Sequence, residues 1–232
     1  QDVGDISLPQ RLEKQLAALD ADSRIVAVGV SCRRVGPGGE YLGDLVRDLS
    51  PEQITEALWD HGTGLMHASC AYRSDTFRTI GGYRPEFRFA QDTDLWYRLA
   101  NIGLLAQLPD VMFEVLIEAA GISGRQIEKQ IQLANLAKAS HDARQAGQSD
   151  VDLLRQAAVI SEPGAPTPPR IRRRQSARAA YFIGTLLLDQ GDPRCRTYFL
   201  QSLRFPGPLP SAITKYAWSF AKCRLRNKEA TE

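Results

Sequence analysis

Cysteine, histidine and long apolar runs are all scarce in this sequence of 232 residues. The four cysteines lie far apart, and the three histidines do not stand beside them at ligand spacing, so neither a disulfide framework nor a zinc site is indicated. The longest apolar run, residues 179–188, is half of the roughly 20 residues that a membrane-spanning helix needs. No charged and then apolar leader follows Gln1, so we expect a cytoplasmic protein. Because the first residue is not Met, we also expect a partial or processed chain.

Charge is nearly balanced overall, with 29 Lys and Arg against 27 Asp and Glu, but it is unevenly distributed. Residues 1–169 carry 16 basic and 23 acidic side chains, whereas residues 170–232 carry 13 basic and four acidic ones. Such a basic segment favours an anionic partner, either a phospholipid surface or nucleic acid. Few aromatic residues are interleaved with its arginines, which makes nucleic acid the less favoured partner. A solvated pair of basic helices without any partner explains the charge equally well.

Changes in composition divide the chain into three parts. Apolar, strand-like stretches alternate with helical patterns, which predicts an α/β sheet domain over residues 1–158. A run rich in proline predicts a stiff linker over residues 159–169. Residues 170–232 predict a basic helical hairpin, similar to one tetratricopeptide-type (TPR-like) unit, around the turn Gly191-Asp192-Pro193. One such helix pair cannot bury its own apolar face, so we expect it to pack on a neighbour.

The densest group of functional residue types lies at the start of a predicted helix, where Asp92 and Asp94 are two residues apart. A helix N-terminus stabilises a carboxylate, so one of them is a candidate general base for an incoming hydroxyl group. The alternative is structural, with Asp92 as a cap and Asp94 as a surface residue. A second pair, Asp2 and Asp5, suits a divalent cation that also holds phosphate oxygens, or else caps the first helix. We interpret His67, in the apolar stretch at 65–72, as a buried histidine of a strand.

Three ordered motifs resemble those of family 2 glycosyltransferases, which are inverting enzymes with a GT-A fold. They read DVGDISLPQRLEKQ at 2–15, LMHASCAYRSDTFRTIGGY at 65–83 and AQDTDLWYRLANIG at 90–103. The similarity covers about residues 1–135, and the helical hairpin is similar to tails of bacterial members that build surface polysaccharides. The resemblance therefore implies a partial GT-A domain that lacks its N-terminal nucleotide-binding strands, followed by an all-α tail.

The resemblance also implies roles for individual residues. Asp92 matches the family's catalytic base, and Asp2 and Asp5 match the element that holds Mg²⁺ or Mn²⁺ with the donor diphosphate. Gly4 departs from the family's Asp-x-Asp pattern. The residues expected on the acceptor or donor side are Gly81, Gly82, Tyr83, Gln91, Asp94, Trp96 and Arg98.

The function expected from the resemblance is transfer of a hexosyl group from a nucleotide-sugar donor to a hydroxyl of a glycan or lipid-linked acceptor, with inversion. The basic tail would place the enzyme peripherally on the inner face of an anionic membrane. The alternative is a non-catalytic interaction protein, in which a degenerate GT-A domain presents the hairpin. Three departures favour that alternative: Gly4, the neutral Gln91 beside the base, and residues 118–120 where many members have an Arg-x-His element. Binding of a nucleotide sugar discriminates between the two.

Overall fold

A computed structural model describes residues 2–62, 64–117, 126–162, 168–204 and 210–229. The chain forms two compact units, the first made of residues 1–33, 44–115 and 126–164, and the second of residues 34–43, 116–125 and 165–232. The expected linker at 159–169 falls partly outside the described residues, and the expected division at 158 and 169 stays a prediction. Residues 118–120, where the resemblance led us to look for an Arg-x-His element, also lie outside them.

Strands and helices alternate along the first two thirds of the chain, and helices alone follow. The strands in the described residues are β1 (Ile6–Ser7), β2 (Ile25–Val35), β3 (Tyr41–Leu45), β4 (Ala71–Tyr72) and β5 (Leu104–Leu116). The helices are α1 (Arg11–Ala21), α2 (Pro51–His61), α3 (Ser74–Thr79), α4 (Gln91–Ala100), α5 (Ile127–Gln145), α6 (Val151–Ser161), α7 (Pro169–Asp189), α8 (Cys195–Leu203) and α9 (Pro210–Glu229). Short 3-10 helices cover His67–Ser69 and Pro85–Phe87.

The strands form one mixed sheet in the order β1-β5-β2-β3, and β4 pairs with β2. β1 is antiparallel to β5, with Ile6 opposite Glu114. β2 and β5 run in the same direction, because the amide of Leu104 donates to the carbonyl of Arg24 at the start of both strands and the two pair along the sheet. A mixed sheet with helices confirms the expected α/β class, whereas a partial GT-A domain goes beyond what the sheet establishes.

Helix α2 begins where its local sequence predicts. The Ser50 hydroxyl accepts a hydrogen bond from the Gln53 amide, and the Gln53 side chain accepts one from the Ser50 amide, which completes a capping box. One turn into the helix, Thr55 Oγ1 accepts the amide of Leu105 at 2.9 Å. This buried bond joins α2 to β5, so the helix cannot rotate without breaking it.

The core of the first unit surrounds α4. Every residue from Asp94 to Ala100 is buried, including Trp96 and Tyr97, which are 2% and 1% exposed. Trp96 donates its indole N–H to the Leu65 carbonyl at 3.1 Å, and Tyr97 donates its hydroxyl to the Leu58 carbonyl at 3.3 Å. A helix buried on all sides is held by its whole surface, so the position of its N-terminus is fixed.

The stretch at 65–72 is not the continuous strand that its apolar character predicts. A 3-10 turn at His67–Ser69 interrupts it, and only Ala71 and Tyr72 pair with β2. The cause is tertiary. Gln15 on α1 is fully buried and donates to both the Val28 and the Ser69 carbonyls, at 2.7 and 2.8 Å, which fixes the turn beside β2.

The second unit has its own core, between α7 and α8. Ile183, Leu187 and Phe199 are fully buried there, and a side chain at Gly184 would press against the Phe199 ring. The turn that joins the two helices lies at Gly191, with φ of 73°, as the sequence predicts. A TPR-like arrangement of these helices remains a proposal. Among the described residues, no helix is both long and apolar enough to span a bilayer.

Candidate functional site

Asp94 and Arg98 form a buried ion pair one turn apart on α4. Arg98 Nη2 lies 2.7 Å from Asp94 Oδ2, and Nε donates to the same oxygen at 2.9 Å. Arg98 Nη1 also donates to the Ile80 carbonyl at 2.9 Å, and Arg84 approaches Asp94 Oδ1 to 3.7 Å. These contacts hold the Gly81–Gly82 loop against the helix. Asp94, Arg98 and Trp96 are all buried, and they are 0%, 5% and 2% exposed.

Asp92 has the opposite environment, although it is only two residues away. Its side chain is half-buried, and Oδ1 accepts the amide of Thr93 at 2.8 Å. It forms no ion pair with any side chain in the described part of the chain, so its second oxygen is available to a ligand. The first turn of α4 stabilises a carboxylate charge at this place. Its neighbour Gln91 is exposed.

A hydrogen-bonded group of rings surrounds Tyr83. Tyr83 Oη is 2.6 Å from His67 Nε2 and 3.3 Å from Tyr72 Oη. The Tyr72 ring stacks on Phe77 with centroids 5.0 Å apart, and the edge of Tyr83 meets Phe77 at 5.3 Å. Burial raises the pKa of Tyr83, with smaller contributions from the Tyr72 hydrogen bond and the Asp92 charge, so Tyr83 stays a neutral phenol.

The two glycines ahead of Tyr83 make the turn that places it. Gly81 and Gly82 have φ of 80° and 67°, values that favour glycine. A side chain at Gly82 would lie 3.3 Å from the Phe77 ring, whereas one at Gly81 would meet nothing within 4 Å. The predicted acceptor-side loop is thus a tight turn that leaves Tyr83 about one third exposed.

Asp2 and Asp5 lie in a turn that precedes β1. The Asp5 amide is 3.3 Å from the Asp2 carbonyl, and Gly4 between them has φ of 96°. Asp2 is exposed and Asp5 is half-buried. Within the described ranges, no three His, Cys, Asp or Glu side chains come together as a metal site. Mg²⁺ is usually held by one or two carboxylates with substrate phosphates and water, so the two carboxylates suit that cation only together with a phosphate ligand.

Sequence reasoning misplaced His67 and did not single out Arg11 or Cys70. His67 is half-buried on a 3-10 turn with its ring toward Tyr83, so the interpretation as a buried strand histidine was wrong. Cys70 lies among these groups, and burial raises the pKa of its thiol, while Arg11 lowers that pKa and Asp92 raises it. No motif in the sequence signals that Arg11 is buried, with 8% of its surface exposed.

No protein-family model matches the chain. It is 30% identical over 118 residues to the Bacillus subtilis (strain 168) protein named "Putative glycosyltransferase EpsE", a match that covers 50% of this chain and 41% of the relative. It is 28% identical over 141 residues to the "Amylovoran biosynthesis glycosyltransferase AmsE" of Erwinia amylovora, over 58% of this chain and 52% of the relative. The chain spans about half the length of the curated relatives it matches. It is thus similar to two proteins named as glycosyltransferases, one of them named for amylovoran biosynthesis.

Proposed function

We propose that this chain is the acceptor-side part of an inverting, GT-A type glycosyltransferase of family 2, acting in polysaccharide biosynthesis. Its substrates are a nucleotide-diphosphate hexose and a hydroxyl group of a glycan or lipid-linked acceptor. The similarity to two proteins named as glycosyltransferases supports the reaction class. The observation that carries the proposal is the contrast between Asp92, which has an available oxygen at a helix N-terminus, and Asp94, which is buried and paired.

Asp92 is the general base in this proposal. A base must be charged and within hydrogen-bond reach of the hydroxyl it activates, and Asp92 is partly exposed and forms no ion pair with a described residue. The acceptor hydroxyl gives its proton to Asp92 as its oxygen bonds to the anomeric carbon. The bond from that carbon to the diphosphate oxygen breaks on the opposite face, and the nucleoside diphosphate leaves with the electron pair. One displacement of this kind inverts the anomeric configuration.

The aromatic group around Tyr83 is the proposed acceptor surface. Binding sites for organic ligands combine aromatic walls with a few fixed polar groups. Tyr83 and Tyr72 supply both, and the hydrogen bond to His67 holds the Tyr83 hydroxyl in one orientation. In this proposal a sugar ring lies against Tyr83 and presents one of its hydroxyl groups to Asp92.

The proposed metal is Mg²⁺ or Mn²⁺, held by Asp2 and Asp5 together with the donor diphosphate. Such an ion neutralises the charge that develops on the leaving group. Gly4 supplies no third carboxylate, so the protein contributes two ligands at most from this turn. Metal binding is therefore expected to depend on the presence of the nucleotide diphosphate.

Helix α9 is the proposed contact with an anionic membrane surface. Its Ala212 and Ser219 are buried, while Ile213, Trp218 and Phe220 are 55%, 55% and 43% exposed. Exposed aromatic and aliphatic side chains on a basic helix are typical of helices that lie in the membrane interface.

Cationic groups accompany these exposed rings. Lys222 Nζ lies 5.2 Å from the centre of the Trp218 ring, and Arg196 Cζ lies 4.2 Å from that of Phe220. With 13 basic and four acidic residues in 170–232, the second unit suits an anionic phospholipid surface, where a lipid-linked acceptor would be met.

The experiment that tests the proposed reaction replaces Asp92 by Asn in the full-length protein. Asp92→Asn is expected to abolish transfer from nucleotide sugars while donor affinity, measured by calorimetry with Mn²⁺, stays nearly unchanged. Asp75→Asn is the matched control, because Asp75 also lies in the first turn of a helix and accepts the next amide, that of Thr76, at 2.7 Å. Normal transfer by Asp92→Asn would refute the base assignment. Absence of nucleotide-sugar binding by the wild type would favour a non-catalytic interaction protein.

A further inference from the structure

Arg11 is a buried cation without a hydrogen-bonding partner for two of its donors. It is the first residue of α1 and is 8% exposed. Nε and Nη1 are both buried and make no hydrogen bond to any group in the described part of the chain. A charge removed from water is strongly unfavourable unless it is paired, so an unpaired buried guanidinium indicates a group that binds there later.

Arg98 shows what a paired arginine looks like in the same unit. It is 5% exposed, and its guanidinium meets the Asp94 carboxylate and the Ile80 carbonyl. Arg11, at similar burial, has no carboxylate within ion-pair distance among the described residues. Its guanidinium contacts the Phe113 ring, whose centre lies 5.2 Å from Arg11 Cζ. A cation–π contact leaves the N–H donors unsatisfied, so it does not replace an oxygen ligand.

Arg11 lies close in the chain to the turn that is proposed to hold the metal and the donor diphosphate. It follows the Asp2–Asp5 turn by six residues, through β1, which pairs with the strand that carries Phe113. The unpaired guanidinium and the two carboxylates therefore lie at the two ends of the same short strand segment.

We infer that Arg11 binds the diphosphate oxygens of the sugar donor. This inference rests on the proposed function, and it names a residue for the leaving group that none of the sequence motifs assigned. A guanidinium is the side chain best suited to phosphate oxygens, through several charged hydrogen bonds at once. A cation fixed in a buried site stabilises the negative charge that grows on the departing diphosphate, and it does so without reorganising.

The test measures binding of inorganic pyrophosphate, UDP and GDP by calorimetry in the full-length protein, with Mn²⁺. Arg11→Gln is expected to weaken binding of all three about tenfold or more, and Arg11→Lys less, because it retains the charge. Arg78→Gln, on an exposed arginine of α3, is the matched control and is expected to bind as the wild type does. Since an unpaired buried charge contributes no stability, Arg11→Gln is also expected to keep or raise the melting temperature.

Unchanged affinity in both Arg11 variants would overturn the inference. So would a large fall in melting temperature for Arg11→Gln, because Arg11 would then be a structural cation paired outside the described residues. The outcome is separable from that of the proposed reaction, since pyrophosphate binding requires neither sugar transfer nor Asp92. If Asp92→Asn retained transfer activity while Arg11→Gln no longer bound pyrophosphate, the result would support the anion site and refute the base assignment.

Discussion

Arg98 Nη2 lies 2.7 Å from Asp94 Oδ2 inside the core, and these side chains are 5% and 1% exposed. The same guanidinium donates a hydrogen bond to the Ile80 carbonyl, so the ion pair connects α4 to the loop that carries Tyr83. Asp92 lies at the start of α4, which is not buried, whereas Asp94 is the first residue of the buried section that runs to Ala100, so the two carboxylates have different environments. Asp94 stabilises the loop through Arg98, whereas Asp92 is available to a ligand.

Asp94→Asn is expected to lower the free energy of unfolding by about 3–5 kcal/mol, because it leaves the Arg98 charge buried without its partner. Denaturant unfolding measures the change. Asp152→Asn is the control, since its pair with Arg155 is exposed and contributes about 1 kcal/mol or less. Equal effects of the two substitutions would show that the buried pair does not stabilise the fold.

Tyr83→Phe is expected to raise the acceptor KM about tenfold with little change in kcat, because it removes the hydroxyl that His67 and Tyr72 hold in place. Steady-state kinetics at saturating donor measures both constants. Tyr41→Phe, on a residue exposed on β3, is expected to leave them unchanged. A loss confined to kcat would argue that Tyr83 takes part in the chemical step instead.

The hydrogen bond from Tyr198 Oη to Glu40 Oε1, 2.8 Å long, is expected to make the second unit sensitive to acid. Burial by itself would raise the pKa of Glu40, but hydrogen bonds from its own amide, Tyr198 and Gly38 outweigh burial and hold that pKa below its ordinary value of 4.5. The stabilisation from the Glu40 carboxylate is thus fully present above pH about 4.5 and is lost as the pH falls through the lowered pKa.

Calorimetric unfolding of the wild type and of Glu40→Gln at a series of pH values tests this expectation. The variant is less stable than the wild type near pH 7, and the difference shrinks as the medium is acidified. A difference that is constant from pH 7 to pH 3 would mean that the charge of Glu40 does not matter.

Substitutions in the second unit can distinguish two contributions to the proposed membrane binding: attraction between charges and insertion of an exposed ring. Neutralising Arg172, Arg173 and Arg174 with Gln is expected to weaken binding to anionic vesicles, most strongly at low salt, and to leave turnover on a soluble acceptor unchanged. Trp218→Ala is expected to weaken vesicle binding at all salt concentrations, because it removes an exposed ring from α9. Cosedimentation with vesicles measures both. If both variants bound vesicles as the wild type does, the proposed membrane contact would be refuted.

Local sequence was sufficient to predict those elements whose hydrogen-bonding groups are satisfied by neighbouring residues. The Ser50-Pro51-Gln53 start of α2, the turn at Gly191 and the strand β2 all follow from capping, glycine and β-branched patterns, because their hydrogen bonds close within a few residues. The alternation of these elements also predicted the α/β class. A helix was also predicted beside Asp92 and is present at Gln91–Ala100, whereas the chemistry assigned to Asp92 stays a prediction.

Tertiary structure alone decided what each of those residues does. The i,i+4 spacing already pairs Asp94 with Arg98 in the sequence. The burial of that pair and the availability of Asp92, however, depend on where along α4 the core begins. Nor does the apolar stretch at 65–72 reveal its 3-10 turn, which Gln15 fixes from 54 residues away. The unpaired state of Arg11 likewise exists only once the fold has buried it. The sequence by itself determined the elements and their order, since these depend on neighbours along the chain, and long-range packing determined which polar groups are satisfied and which are left for a ligand.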